Sequence, residues 1–153
     1  MNKEYAIVTD GSCDLPRELC QEKGITVVPF YVSFDGEKYE KEIVEMPIRQ
    51  FYEDMVKNPK VFPKSSMPSV QDYMDAFMPI VQEGKAIICI CITTKFSGSM
   101  QSALNARMMI LEQHPDAEIT VIDATINTVL QGIYVLEAQK MKEAGVEYYS
   151  IGR

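Results

Sequence analysis

Short apolar runs alternate with amphipathic stretches along most of the chain, and this alternation indicates the fold class. Buried strands are predicted at residues 5–9, 25–32, 86–92 and 118–123. Amphipathic helices are predicted at residues 15–23, 47–57, 70–82, 99–113 and 127–144. Strands that alternate with helices form parallel sheets covered on both faces. The sequence therefore predicts an α/β fold, with a mainly parallel sheet flanked by helices on both faces, in a single domain spanning residues 1–153.

Local signals predict where two of the helices begin. Asp14 is typical of a helix N-cap, and Pro16 fits the first helical turn behind it. Ser69 precedes another helix and is followed three residues later by Asp72, a spacing that predicts a capping box. We therefore expect both helices to start at a capped, polar residue.

The segments between the second strand and the helix at 70–82 are less regular. Asp-Gly at residues 35–36 predicts a hairpin turn, with a return strand at 37–39, so a small β-hairpin should accompany the sheet. The proline-rich segment at 61–69 predicts an irregular loop.

A hydroxyl-rich turn joins the buried strand at 86–92 to the helix at 99–113. Unpaired backbone N–H groups and the positive end of a helix meet at such a junction and favour an anion. Ser97 and Ser99 add hydroxyl donors, and Gly98 allows a ligand to approach the backbone. The simpler interpretation is that Ser97 or Ser99 caps the helix.

Asp10, Ser97 and Asp123 each follow a predicted strand. Because parallel strands end at one edge of a sheet, we expect all three residues along that edge. One interpretation is an enzyme in which Asp10 is a phosphate-accepting nucleophile, Ser97 holds phosphate and Asp123 binds magnesium. The alternative is that Asp10 accepts N–H bonds from its own turn.

Composition and motifs narrow the class of function. The net charge of −7 argues against nucleic-acid binding, which needs a basic face. There is no signal-peptide pattern and no apolar run of membrane-spanning length, so we expect a cytoplasmic protein without stable membrane insertion. Nucleotide-binding glycine motifs are absent from the sequence.

The potential metal ligands and catalytic bases are few. Cys89 and Cys91 lie in the middle of an apolar strand, and the single histidine, His114, is remote from the serine-rich segments in sequence. A zinc site is therefore not expected, nor is any other metal or cofactor. Cys13 lies near a predicted helix start, a position that can lower the pKa of a thiol. The alternative, which is favoured, is that the Cys13 thiol is a spectator without a functional role. Without a base near the serines, no catalytic residue is expected.

Four segments resemble signatures of the DegV family of bacterial fatty-acid-binding proteins. They are residues 7–16, 64–69, 97–103, and 121–123 with 131–132. The segments occur in the family's order and span nearly the whole chain. The resemblance implies the α/β fold of the family's N-terminal lobe.

The resemblance also implies a function. Family members bind one long-chain fatty acid, hold its carboxylate with hydroxyls, and present it to a separate fatty acid kinase catalytic subunit, which makes the acyl phosphate for phospholipid synthesis. Carried over by position, Ser65 and Ser97 bind the carboxylate. Further head-group or tail contacts are expected from Ser99, Gly98, Ser66, Met67, Phe96 and Asp10. Met67 stands where the family has Gln, and Ser65 where it has Thr.

The family's second, C-terminal lobe has no counterpart within these 153 residues. We therefore expect this chain to correspond to the N-terminal lobe, with the C-terminal lobe absent. Without that lobe, an acyl tail would remain partly in water and would bind weakly. We therefore also expect self-association through the exposed cleft, in which a second chain covers the tail. A non-catalytic module that binds another protein remains the third hypothesis.

Overall fold

The computed structural model describes residues 3–151. Its strands are β1 (Tyr5–Asp10), β2 (Thr26–Val28), β3 (Tyr31–Ser33), β4 (Glu40–Lys41), β5 (Lys64–Ser66), β6 (Ala86–Cys91) and β7 (Ile119–Asp123). Its helices are α1 (Arg17–Lys23), α2 (Ile48–Lys57), α3 (Val70–Gln82), α4 (Ser99–Gln113), α5 (Val129–Glu143) and α6 (Tyr148–Ile151). A single 3₁₀ turn, Gly11–Cys13, follows β1.

Four parallel strands form the central sheet, in the order β2-β1-β6-β7. Ile7 and Ile88 face one side, where they join residues of α1, α5 and α6 in one apolar cluster. Val8 and Ile87 face the other side and pack with α3 and α4. This two-sided burial explains why β6 is buried at every position and why its sequence is continuously apolar. The predicted α/β fold is confirmed.

A small antiparallel sheet, in the order β4-β3-β5, lies beside the central sheet. The prediction of one strand over residues 25–32 is wrong, because the chain leaves the central sheet at Pro29 and continues as β3. Proline has no N–H to donate to a ladder, which suits this break. The return strand is β4 rather than residues 37–39. Asp35 prolongs the turn by accepting hydrogen bonds from Glu37 N–H and Lys38 N–H, both at 2.8 Å.

The prediction that residues 61–69 form an irregular loop is also wrong in part. Lys64–Ser66 is β5, and Ser65 pairs with Val32 of β3. Ser65 is therefore held on a strand, although that strand is exposed at all three positions. The segment's prolines, which suggested irregular structure, lie outside these three residues.

One predicted cap is confirmed and the other is wrong. Ser69 and Asp72 form the capping box of α3, with Asp72 N–H 3.1 Å from Ser69 Oγ. Asp14 caps no α-helix; it has a left-handed backbone, with φ 57°, at the end of the 3₁₀ turn, and α1 begins after Pro16. The extra turn delays the helix and keeps residues 11–14 at the sheet edge.

Among residues 3–151, none of the helices has the length and hydropathy needed to cross a bilayer.

Candidate functional site

A cleft of about 600 Å³ opens at the carboxyl edge of the central sheet, between that sheet and the small sheet. The polar residues that line it are Ser12, Asp14, Glu42, Ser65, Ser66, Ser97 and Thr128. Its apolar lining comes from Phe30, Val32, Met67, Ile92 and Phe96, with Gly11 at the backbone. The cleft therefore combines hydroxyl donors with apolar surface, which suits a molecule with a small polar head and an apolar tail.

Ser65 and Ser97 line the same cleft although they lie on different segments. Ser65 comes from β5, whereas Ser97 lies in the turn between β6 and α4. The Ser97 Oγ accepts a hydrogen bond from the backbone N–H of Ser99 at 3.2 Å. The N-cap of α4 is Gly98, without a side-chain cap, so the interpretation that Ser97 or Ser99 is the helix cap is wrong. The Ser97 hydroxyl hydrogen remains available to donate to a bound group.

Three of the other residues predicted as ligand contacts also line the cleft, namely Ser66, Met67 and Phe96. Phe96 is 74% exposed. Gly98 lies behind Met67, whose Sδ would be 2.8 Å from a Cβ at that glycine. Glycine at position 98 therefore makes room for the methionine side chain as well as shaping the turn.

Ser99 and Asp10, which we predicted as head-group contacts, are instead fully buried and bonded to each other. The Ser99 hydroxyl donates to Asp10 Oδ2 at 2.8 Å, and the Ile92 N–H donates to the same oxygen at 3.0 Å. Asp10 Oδ1 accepts from Ser12 N–H and from Gln131 Nε2. Burial raises the pKa of Asp10, and these hydrogen bonds only partly oppose the rise.

Gln131 and Tyr73 complete this buried cluster, and sequence reasoning gave neither of them a role at the site. Gln131 Nε2 lies 2.9 Å from Asp10 Oδ1, and the Tyr73 hydroxyl lies 2.6 Å from Ser99 Oγ. Tyr73 lies on the apolar face of α3, in the core cluster, where a tyrosine gives no signal of a polar role. Two signals mark Gln131 in the sequence: it is a glutamine on the core face of a helix, and residues 131–132 belong to one of the family-like segments.

Glu42 is a third residue that sequence reasoning missed. It lines the cleft, and its Oε1 accepts a hydrogen bond from Phe30 N–H at 3.0 Å. Burial raises the pKa of Glu42, and the charges of Asp10 and Asp14 raise it further. Within residues 3–151, no lysine or arginine lines the cleft, so its donors are uncharged.

Asp123 ends β7 at the same sheet edge but lies outside the cleft lining. Its Oδ2 accepts from the Thr94 hydroxyl at 2.8 Å, and its Oδ1 accepts from Thr125 N–H at 2.7 Å. Burial opposes a low pKa for Asp123, but these hydrogen bonds outweigh it and lower the pKa. No group of three or more His, Cys, Asp or Glu side chains within residues 3–151 is arranged to hold a metal ion.

The cysteines in the described range are free and buried. Burial raises the pKa of the Cys13 thiol to about 12, so the favoured spectator interpretation of this residue fits the structure and a lowered pKa does not.

The fold and the cleft define an α/β lobe with a hydroxyl-lined cleft at the carboxyl edge of a parallel sheet. A sequence model described as "Uncharacterised protein, DegV family" matches residues 4–152. This chain belongs to the DegV family. A DegV domain-containing protein of Caldanaerobacter subterraneus is 34% identical over 143 residues, which are 94% of this chain and 49% of that protein. The chain spans about half the length of the curated relatives it matches.

Solved structures with the same fold are bacterial fatty-acid-binding proteins. A stearic acid-binding protein from Eubacterium ventriosum has a TM-score of 0.92 at 44% identity, covering 96% of this chain and 50% of that one. DegV of Bacillus subtilis, a fatty-acid-binding protein, has a TM-score of 0.83 at 26% identity, covering 97% of this chain and 51% of that one.

Proposed function

We propose that this chain binds a long-chain fatty acid, with Ser65 and Ser97 donating hydrogen bonds to its carboxylate. The observation that carries the proposal is that these two serines, from segments far apart in sequence, line one cleft with apolar walls. Hydroxyl groups bind a carboxylate through directional hydrogen bonds rather than through an ion pair. This mode of binding suits a cleft whose described lining contains no lysine or arginine. The fatty-acid-binding relatives of the same fold support this choice of ligand.

We further propose that the protein is a carrier that presents the fatty acid to a kinase subunit in the cytoplasm, where ATP is available. A role as a carrier rather than an enzyme is supported by the position of Asp10. Both carboxylate oxygens of Asp10 accept hydrogen bonds from protein donors, and the residue is fully buried. A nucleophile must reach its substrate, so the Asp10-dependent phosphotransferase is the weaker hypothesis.

The experiment is organic extraction of the purified protein followed by mass spectrometry, together with calorimetric titration of delipidated protein with stearate. We expect co-purified fatty acid in the wild-type protein and a loss of binding in the Ser65→Ala, Ser97→Ala double variant. Ser150→Ala is the matched control, because Ser150 is exposed on α6 and is not among the residues that line the cleft. Wild-type protein that neither carries nor binds fatty acid contradicts the proposal.

A second candidate function, self-association through the cleft, is favoured by apolar side chains exposed near it. Phe96 and Met67 line the cleft, and Val129, which is 62% exposed, follows the cleft residue Thr128. An acyl tail that leaves the cleft needs apolar cover, and a second copy of the lobe offers the same surface. Sedimentation velocity with and without stearate tests this: lipid-dependent dimers support it, and a monomer in both conditions rejects it.

A further inference from the structure

The segment from Ile92 to Ser99 carries Ser97, and both of its ends are bonded to one buried carboxylate. Ile92 N–H and the Ser99 hydroxyl donate to the same oxygen of Asp10, at 3.0 and 2.8 Å. Ile92 itself lines the cleft, and Ser99 N–H donates to Ser97 Oγ. Two connections therefore link the Ser97 hydroxyl to Asp10. One runs through Ile92 and the backbone that follows it, and the other runs through Ser99.

The hydrogen-bond directions around Ser99 leave it little freedom. A serine hydroxyl has one hydrogen, and Ser99 gives it to Asp10. The Tyr73 hydroxyl, 2.6 Å from Ser99 Oγ, must then donate to Ser99. Ser99 is thus held from β1 on one side and from α3 on the other. Asp10, Ser99 and Tyr73 are all fully buried, and hydrogen bonds are stronger in such an interior than in water.

The opposite side of Asp10 is also fixed. Gln131 Nε2 donates to Asp10 Oδ1 at 2.9 Å and to Thr9 Oγ1 at 3.1 Å. Gln131 reaches this point because α5 packs closely on the 3₁₀ turn, where a Cβ at Gly132 would overlap the backbone oxygen of Cys13. The donors that surround the Asp10 carboxylate are neutral, so hydrogen-bond geometry rather than an ion pair holds it.

We propose that Asp10 is a positioning residue for the carboxylate site: by holding both ends of segment 92–99, it orients the Ser97 hydroxyl toward the cleft without touching the ligand. The inference rests on the proposed function, because it concerns the same serine. Asp10 is not among the residues that line the cleft, which separates its role from that of a ligand contact.

Stearate titration of delipidated Asp10→Ala tests the proposal, with thermal unfolding measured in parallel. We expect the dissociation constant of the folded variant to rise about tenfold or more, because the hydrogen bonds at both ends of the segment are lost. Asp10→Asn is the conservative rescue. Its oxygen keeps the bonds from Ile92 N–H and the Ser99 hydroxyl, which are the two that hold segment 92–99. Its NH₂ replaces the oxygen that accepts from Ser12 N–H and Gln131 Nε2, so the Ser12 bond is lost on the far side of the carboxylate. Gln131 Oε1, a buried atom without a hydrogen-bond partner in the described range, accepts from that NH₂ once the Gln131 amide rotates.

We expect Asp10→Asn to bind within about threefold of the wild-type protein. A purely structural role would lower the unfolding temperature of both variants while leaving the dissociation constant of the folded protein unchanged, and that result overturns the proposal. So does an Asp10→Asn protein that binds as weakly as Asp10→Ala.

If Asp10→Ala does not fold, Ser99→Ala provides a second test, because it removes only the connection through Ser99. The Ser99→Ala protein should bind stearate several-fold more weakly than the wild-type protein. Wild-type affinity in the Ser99→Ala protein rejects the proposal.

Backbone amide resonances give a readout that needs no ligand. In Asp10→Ala or Ser99→Ala, the NMR signals of Ser97 and Gly98 should shift, whereas they should stay in place in the control Asp35→Asn. Asp35 also accepts several hydrogen bonds but lies in the hairpin turn, away from segment 92–99. Unshifted signals in the test variants overturn the positioning role. Wild-type protein that fails to bind stearate contradicts the proposed function alone.

Discussion

The Tyr31 hydroxyl lies 2.9 and 3.1 Å from the two carboxylate oxygens of Asp72, and this contact joins the small sheet to helix α3. Lys41 of β4 adds an ion pair to Asp72 at 3.5 Å. Tyr31 lies on β3, which pairs with the strand that carries Ser65. One carboxylate on α3 therefore holds the small sheet, and with it Ser65, against the main body of the protein.

Asp72→Ala should lower the free energy of unfolding by about 2 kcal/mol, because it removes the capping box together with the Tyr31 contact. Urea denaturation measures the change. Asp75→Ala is the matched control, since Asp75 is exposed on the same helix and accepts a hydrogen bond from Gln71. Similar losses in the two variants would contradict the anchoring role of Asp72.

Gly132→Ala should destabilise the protein, although alanine favours helices by roughly 1 kcal/mol over glycine. The new Cβ would overlap the backbone oxygen of Cys13, which cannot rotate away, and overpacking of this kind costs about 1–3 kcal/mol. Thermal unfolding shows whether the substitution raises or lowers the stability of the protein. Leu15→Ala in the same protein removes the nearest side chain but not the carbonyl, so rescue by that second substitution would refute the explanation.

Gly98→Ala should have a smaller effect on stability, under about 1 kcal/mol, because its obstacle is the flexible end of Met67. Stearate binding should change more than stability, since Met67 lines the cleft and must move. A double-mutant cycle with Met67→Ala measures the coupling. Additive effects on the dissociation constant would show that the two residues do not interact.

The sequence was sufficient to predict the central sheet, because apolar runs and helical periodicity are local signals. Strand β6 and helix α3 follow their predicted bounds to within a residue. The small sheet was predicted less well. Its strands are two or three residues long, so their existence depends on pairing between distant segments rather than on local pattern.

The candidate site likewise combines local motifs with contacts between distant segments. Ser65 and Ser97 were identified by their motifs, but the motifs do not show which hydroxyl lines the cleft and which is buried. Ser99, two positions after Ser97, is buried because the helix turns it toward Asp10. Glu42 was missed because its place in the cleft depends on the fold of the small sheet, and the chain around β4 carries no chemical motif.

Glu42 gives the cleft a negative charge that opposes an anionic ligand. Its raised pKa means that the folded state holds the proton more tightly than the unfolded chain does. For Glu42, the contribution to the free energy of unfolding therefore falls as pH rises from the ordinary glutamate value, about 4.3, through the raised folded value. Charged Glu42 also repels a fatty carboxylate in the same cleft, so ligand affinity should fall over the same rise in pH.

Glu42→Gln should therefore tighten stearate binding at about pH 8, by roughly threefold, because it removes a charge while keeping an oxygen for the Phe30 N–H. As pH falls through the raised pKa, wild-type Glu42 becomes neutral and the advantage of the variant should disappear. Titrations across this range, with Glu40→Gln as the control on strand β4 outside the cleft lining, measure the difference. An advantage that persists at low pH, or weaker binding at high pH, would show that Glu42 acts through packing or hydrogen bonding rather than charge.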